Sequence, residues 1–80
     1  MVKEEILLQL NNLFKDVLDN PDVIVTESST ASDIEEWDSL NHIQLVVAIE
    51  KHFKLKFTSS EILSWKNVGE MIDAILHKLG

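Results

Sequence analysis

Ser39 stands in the stretch Glu35-Glu36-Trp37-Asp38-Ser39-Leu40, where a polar segment gives way to an amphipathic one. A hydroxyl at a helix start lies close to the first turn's free backbone N–H groups, which favour anions such as phosphate. Two roles fit that place. Ser and Asp are both preferred helix N-caps, and the same position suits an attachment point for a phosphate-containing group. His42, one helical turn further on, would allow a Ser–His pair. No third orienting group, oxyanion hole or G-x-S-x-G elbow accompanies it. His42, His52 and His77 show no metal-ligand spacing and read as surface helix histidines. The acids Asp33, Glu35, Glu36 and Asp38 lack the central glycine and spacing of an EF-hand loop. With Gly69 and Gly80 as the only glycines, no loop can cradle a phosphate. The chain has no cysteine, so disulfides, thiolate catalysis and Cys-ligated zinc are excluded. It holds no self-contained catalytic constellation and is read as a non-enzyme.

The elements around Ser39 read as helices. Ile6, Leu7, Leu10, Leu13, Phe14, Val17 and Leu18 recur at three- and four-residue spacing, predicting a helix over 3–19 that ends at Asp19-Asn20-Pro21. Residues 20–38 are rich in Ser, Thr and Asp and read as a loop long enough to be functional. Ile24 and Ile34 are expected to pin it to the core. Val23-Ile24-Val25 has no pairing partner elsewhere, so a strand is rejected. A second helix spans about Ser39 to Phe53, with Leu40, Ile43, Val46, Val47 and Phe53 on one stripe and Leu45 and Ile49 on another. Such a helix is either central in the bundle or exposes a stripe for a partner. Thr58-Ser59-Ser60-Glu61 reads as a capping box opening a short helix to about Ser64. Asn67-Val68-Gly69-Glu70 opens the last helix, with Val68, Met71, Ile72, Ile75, Leu76 and Leu79 on its apolar face. The fold class is all-α: a small bundle of three main helices plus one short one, forming a single domain over residues 1–80.

Composition narrows the partners. Eighty residues leave no room for a second core, and 45% hydrophobic residues with a mean hydropathy of +0.03 indicate a globular chain. No signal peptide or run of membrane-spanning length is present, so a soluble, cytoplasmic protein is expected. Residues 1–38 carry ten acids against two lysines, a net −8, while residues 39–80 carry four acids against five lysines, a net +1. The chain has no arginine, and nucleic-acid binding needs clustered Lys and Arg. A partner with a basic patch, steered by long-range attraction, fits better.

Asp38-Ser39-Leu40 opening an amphipathic helix after a long loop, the Leu45–Glu50 run Leu-Val-Val-Ala-Ile-Glu, Phe53 closing that helix, a short third helix and an apolar fourth together resemble an acyl carrier protein over essentially the whole chain. The resemblance implies that Ser39 receives a 4′-phosphopantetheine arm from coenzyme A, donated by a separate phosphopantetheinyl transferase. The arm's thiol then holds acyl groups as thioesters, which supplies the sulfur that a chain without cysteine lacks. The new phosphodiester would lie at the start of the second helix, where dipole and N–H groups favour its charge. By the same resemblance Asp38 helps the transferase hold coenzyme A and its magnesium ion, a role compatible with capping. Leu40 and Val47 become apolar contacts for partner enzymes and Glu50 an acidic one. Phe57, Ile62, Trp65 and Met71 correspond to positions lining a space for an acyl chain, which the bulk of Trp65 and Phe57 would keep small. Trp37 reads as a loop anchor.

The chain departs from the fatty-acid carriers after the motif. Asn41, Gln44 and Lys51, followed by His52 and Lys54, stand where those carriers typically show acids. The Trp37-Asp38-Ser39-Leu40 form resembles carriers of specialised pathways, so a stand-alone monomer serving a dedicated ligase, acyltransferase or ketosynthase is expected, in fatty-acid, polyketide or related biosynthesis. An aminoacyl or peptidyl carrier of the same fold is the near alternative, though Glu35-Glu36-Trp37 lacks the glycine-rich approach common there. A helical interaction domain with Ser39 as a mere cap is the alternative from another class, and a Ser39–His42 hydrolase a distant third.

Overall fold

The computed structural model describes residues 2–79, and within them the elements run α1 (Lys3–Leu18), α2 (Ser39–Phe53), α3 (Ser59–Ser64) and α4 (Val68–Leu79), with a single 3-10 turn at Ala31–Asp33 in the loop before α2. No strand occurs among the described residues, and none of their helices is long and apolar enough to cross a membrane.

The helices follow their apolar spacing. α1 buries Ile6, Leu10, Phe14 and Leu18, one residue per turn. It stops one residue earlier than proline alone predicts, because Asp19 adopts a left-handed conformation (φ 52°) and Asn20 N–H returns to the Lys15 carbonyl at 3.1 Å. The α4 stripe Val68, Met71, Ile72 and Ile75 is fully buried against the same core. Asn67 caps α4, its Oδ1 accepting the Glu70 N–H at 2.9 Å, so the helix begins at Val68. At α3 the capping box closes in both directions: Glu61 N–H donates to Thr58 Oγ1 at 3.2 Å and Thr58 N–H to Glu61 Oε1 at 2.9 Å.

The long loop is held by one of the two residues its sequence suggests and by hydrogen bonds to its backbone. Ile34 packs against the core as expected, but Ile24 points outward, 75% exposed, and the burial falls to its neighbours Val23 and Val25. The cause is Asn11 on α1: its side-chain amide donates to the Val25 carbonyl at 3.0 Å and accepts the Val25 N–H at 2.7 Å. One side chain thereby gives an extended residue the pairing a neighbouring strand would supply, and alternation turns Ile24 away from the core. Further along, the Val68 and Gly69 N–H groups at the start of α4 donate to the Ser29 and Glu27 carbonyls at 2.9 and 2.8 Å. A hydrogen on Gly69 in place of Cβ allows this approach, since a Cβ would stand 3.0 Å from the Glu27 carbonyl oxygen. Lys3 adds an ion pair to Asp73 at 3.1 Å and a looser one to Glu27 at 3.8 Å. Its hydrogen bond to Asp73 raises it above the usual lysine value.

α2 divides its apolar residues differently from the expected two stripes. Val46 and Phe53 join Leu45 and Ile49 in the core, whereas Leu40, Ile43 and Val47 remain 67%, 53% and 43% exposed. The helix supports the core with one face and offers an apolar row to solvent with the other.

Candidate functional site

Ser39 is exposed in the first turn of α2, at the rim of an open groove of about 540 Å³ between α2, α3 and the end of the loop. Such a volume suits a small organic group, for which pockets run from about 300 to 1,000 Å³. Trp37, Asp38, His42 and Ile43 line one side, and Ile62, Leu63 and Trp65 the other.

Asp38 is the N-cap, with extended backbone and its Oδ1 accepting the Asn41 N–H at 2.8 Å. The Ser39 and Leu40 N–H groups have no acceptor among the described residues. They are the orphan donors of a helix start and give the Ser39 side chain an anion-favouring surround. The turn is braced from behind: Asn41 Nδ2 donates to the Glu36 carbonyl at 2.7 Å, and Asn20 Nδ2 to the Glu36 carboxylate at 2.7 Å. Ser39 therefore does not cap its helix. The neighbouring aspartate does, and the hydroxyl is free for chemistry.

Trp37 anchors the loop, as its sequence position suggests. It is buried, and its ring meets Phe14 edge-on at 5.0 Å between centroids. It also does what sequence reasoning missed. Its Nε1–H donates to His42 Nδ1 at 3.0 Å, so His42 is half-buried and engaged rather than a surface histidine. A Trp five residues before a His across a helix start was the available signal. This bond occupies Nδ1, and no hydrogen bond joins Ser39 to His42. The hydrolase reading thus loses its Ser–His pair.

The remaining expected site residues separate. Leu40 and Val47 lie on the exposed row of α2. Glu50 is half-buried, and its Oε2 accepts the Phe57 N–H at 2.8 Å, tying the α2–α3 connection. Ile62 and Trp65 line the groove, but Met71 is fully buried in the core and Phe57 packs behind Trp65, ring centroids 4.8 Å apart, without reaching the groove. Among the described residues no group of His, Asp or Glu is placed to hold a metal ion.

Comparison with known proteins shows the family of the chain. Residues 9–75 match the family described as the phosphopantetheine attachment site. The chain belongs to that family. It is similar to the acyl carrier protein of Acidothermus cellulolyticus, 33% identical over 73 residues that cover 91% of this chain and 87% of the relative. The acyl carrier protein of Thermosynechococcus vestitus is 31% identical over 80 residues, covering 99% of this chain and 98% of that one. In structure it is similar to the holo acyl carrier protein of Geobacter metallireducens solved by NMR, with a TM-score of 0.85, 40% identity, and coverage of 91% of this chain and 84% of that one. Within this family the chain is a carrier of acyl groups rather than an enzyme, and its cofactor is covalently attached 4′-phosphopantetheine. It works with a phosphopantetheinyl transferase and with the biosynthetic enzymes that load and unload the arm.

Proposed function

We propose that Ser39 is the attachment point of the arm and that the chain presents thioester-bound acyl intermediates to a dedicated set of separate enzymes. One observation carries the assignment: Ser39 is exposed at a helix start whose cap is supplied by Asp38, leaving the hydroxyl and two N–H groups free at the mouth of the groove. The residues present fit a phosphodiester, since uncapped donors and the helix dipole favour its charge. The arm supplies a thiol to a chain that has none of its own.

Leu40, Ile43 and Val47 are the apolar contacts offered to partner enzymes, flanked by the acids that precede Ser39. Glu50 contributes through the α2–α3 connection it closes. Asp38 serves capping and transferase recognition together. The partner class is a ligase, acyltransferase or ketosynthase with a basic docking rim, and the carrier acts as a cytoplasmic monomer. The near-neutral exposed face of α2 favours a specialised pathway over general fatty-acid synthesis.

Mass spectrometry after incubation with coenzyme A, magnesium and a phosphopantetheinyl transferase tests the reading. The chain gains the mass of one phosphopantetheine, and Ser39→Ala gains none. Equal modification of both, or of neither, overturns it.

A further inference from the structure

His42 does more than brace Trp37. A tryptophan N–H can only donate, so its bond to His42 Nδ1 makes that nitrogen the acceptor and places the neutral ring's proton on Nε2. Nε2 has no partner among the described residues and is not a buried orphan. His42 lines the groove one helical turn from Ser39, facing the apolar Ile62, Leu63 and Trp65, with Asp38, Lys66 and Asn67 as the other polar side chains at its edge.

The same ring is part of a continuous wall. Phe14 meets Trp37 at 5.0 Å, Trp37 stacks on His42 at 5.9 Å, His42 meets Trp65 edge-on at 6.1 Å, and Trp65 meets Phe57 at 4.8 Å. Behind this wall Leu10, Leu45, Ile49, Met71 and Ile75 are fully buried, and none of them lines the groove. A chain leaving Ser39 therefore finds open space along Ile62, Leu63 and Trp65, and a sealed aromatic face toward the interior.

We infer that the group carried on the arm rests in this surface groove outside the aromatic wall, and that His42, its Nε2–H fixed by Trp37, favours acyl groups bearing a hydrogen-bond acceptor near the thioester over plain hydrocarbon chains. This rests on Ser39 being the attachment point. A hydrocarbon laid over Nε2–H strips water from a donor and returns no acceptor, whereas a hydroxyl or keto oxygen satisfies it. The preference amounts to about tenfold in occupancy of the groove, the order expected for one donor left unpaired.

The chain's two tryptophans, Trp37 and Trp65, both line the groove, so they report its occupancy. Holo protein and forms loaded by the transferase with a saturated acyl group or a 3-hydroxyacyl group of equal length, each verified by mass, are compared by acrylamide quenching and by the Trp37 indole N–H resonance. The 3-hydroxyacyl form shields Trp65 severalfold more than the saturated form and shifts the Trp37 indole signal. His42→Phe, which keeps a ring and removes the donor, abolishes the difference, and His42→Gln, which restores an N–H, recovers part of it. Equal shielding by both cargoes in the unaltered protein overturns the inference without any variant. So does a response confined to core amides such as those of Leu45, Ile49 and Ile75, which places the cargo inside the bundle. Absence of any mass gain on Ser39 removes the underlying function instead, and mass alone identifies that outcome.

Discussion

In α4 the apolar residues Val68, Met71, Ile72 and Ile75 all face inward and are fully buried, whereas α2 buries Leu45, Val46, Ile49 and Phe53 but leaves Leu40, Ile43 and Val47 against solvent. Folding explains α4 up to its last turn: its buried stripe closes the core, and only Leu79 at its end, which the spacing had put on the apolar face, stays 41% exposed. Folding does not explain α2. Three large apolar side chains in water do nothing for the core, and their row begins one residue after Ser39. Across the groove Leu63 on α3 is 81% exposed, so the apolar surface continues on the other wall. Surplus apolar surface around a reactive side chain marks recognition, and its location tells which helix serves partners.

The contrast breaks most visibly under truncation. Ile75→Ala empties space in a fully packed interior and costs about 2–5 kcal/mol. Leu40→Ala removes a side chain already in water and stays within about 0.5 kcal/mol in stability. In urea unfolding the first lowers the midpoint strongly and the second barely moves it, while Leu40→Ala slows transfer of the arm or the acyl group by a partner enzyme. Similar stability losses for the two would erase the division between a helix that builds and a helix that also presents.

Gly69→Ala tests how tightly α4 is seated on the loop. Alanine gains up to about 1 kcal/mol in helix propensity. Its Cβ, however, would lie 3.0 Å from the Glu27 carbonyl oxygen and 3.2 Å from Asn67 Oδ1, the backbone and cap that hold this corner. Overpacking of this kind costs about 1–3 kcal/mol, so the net change is destabilising by about 1 kcal/mol. Faster exchange of the Val68 and Gly69 amides accompanies it. A more stable variant would show that the loop docks elsewhere.

Asp38→Ala removes the α2 cap and costs about 1 kcal/mol in thermal unfolding. Asp38→Asn keeps a capping oxygen and recovers most of that stability. Asp38→Asn nonetheless slows modification of Ser39 if the aspartate also serves the transferase, so the pair separates capping from recognition at the same position.

Much of this was legible from local pattern. The start of α2 at Ser39, its end at Phe53, the span of α3 and both capping segments follow from periodicity and cap chemistry, which act within a few residues. What escaped depends on partners distant in sequence. Ile24 and Val25 are equally apolar, and only the Asn11 side chain, fourteen positions away, decides which of them faces inward. Likewise Met71 and Ile62 both read as apolar residues near a cavity. The wall formed by Trp37, His42 and Trp65 leaves Ile62 in the groove and Met71 behind it. The engagement of His42 had one local signal, Trp37 five residues before it, but periodicity alone gives a helix-surface histidine and a tryptophan-bonded one the same place.

The smallest effect expected is on α3, which carries no fully buried residue and is held by its ends, in contrast to α4. The Glu61 carboxylate accepts the Thr58 N–H and pairs with Lys78 Nζ at 3.2 Å, and the Thr58 N–H in particular holds it below the ordinary value of 4.5. A carboxylate depressed in the folded state stabilises that state above its unfolded value, and the contribution is lost as pH falls through the folded one. The α3 cap is therefore intact at neutral pH and weakens below about 4.5, before the buried stripe of α4 responds. Acid titration followed by amide shifts reads this as movement at Thr58, Glu61 and Ile62 while Met71, Ile72 and Ile75 stay in place. Glu61→Gln, which cannot titrate, flattens the α3 response in this range. A simultaneous transition in both helices would mean that α3 is held by packing, and that the groove wall it forms is as rigid as the core.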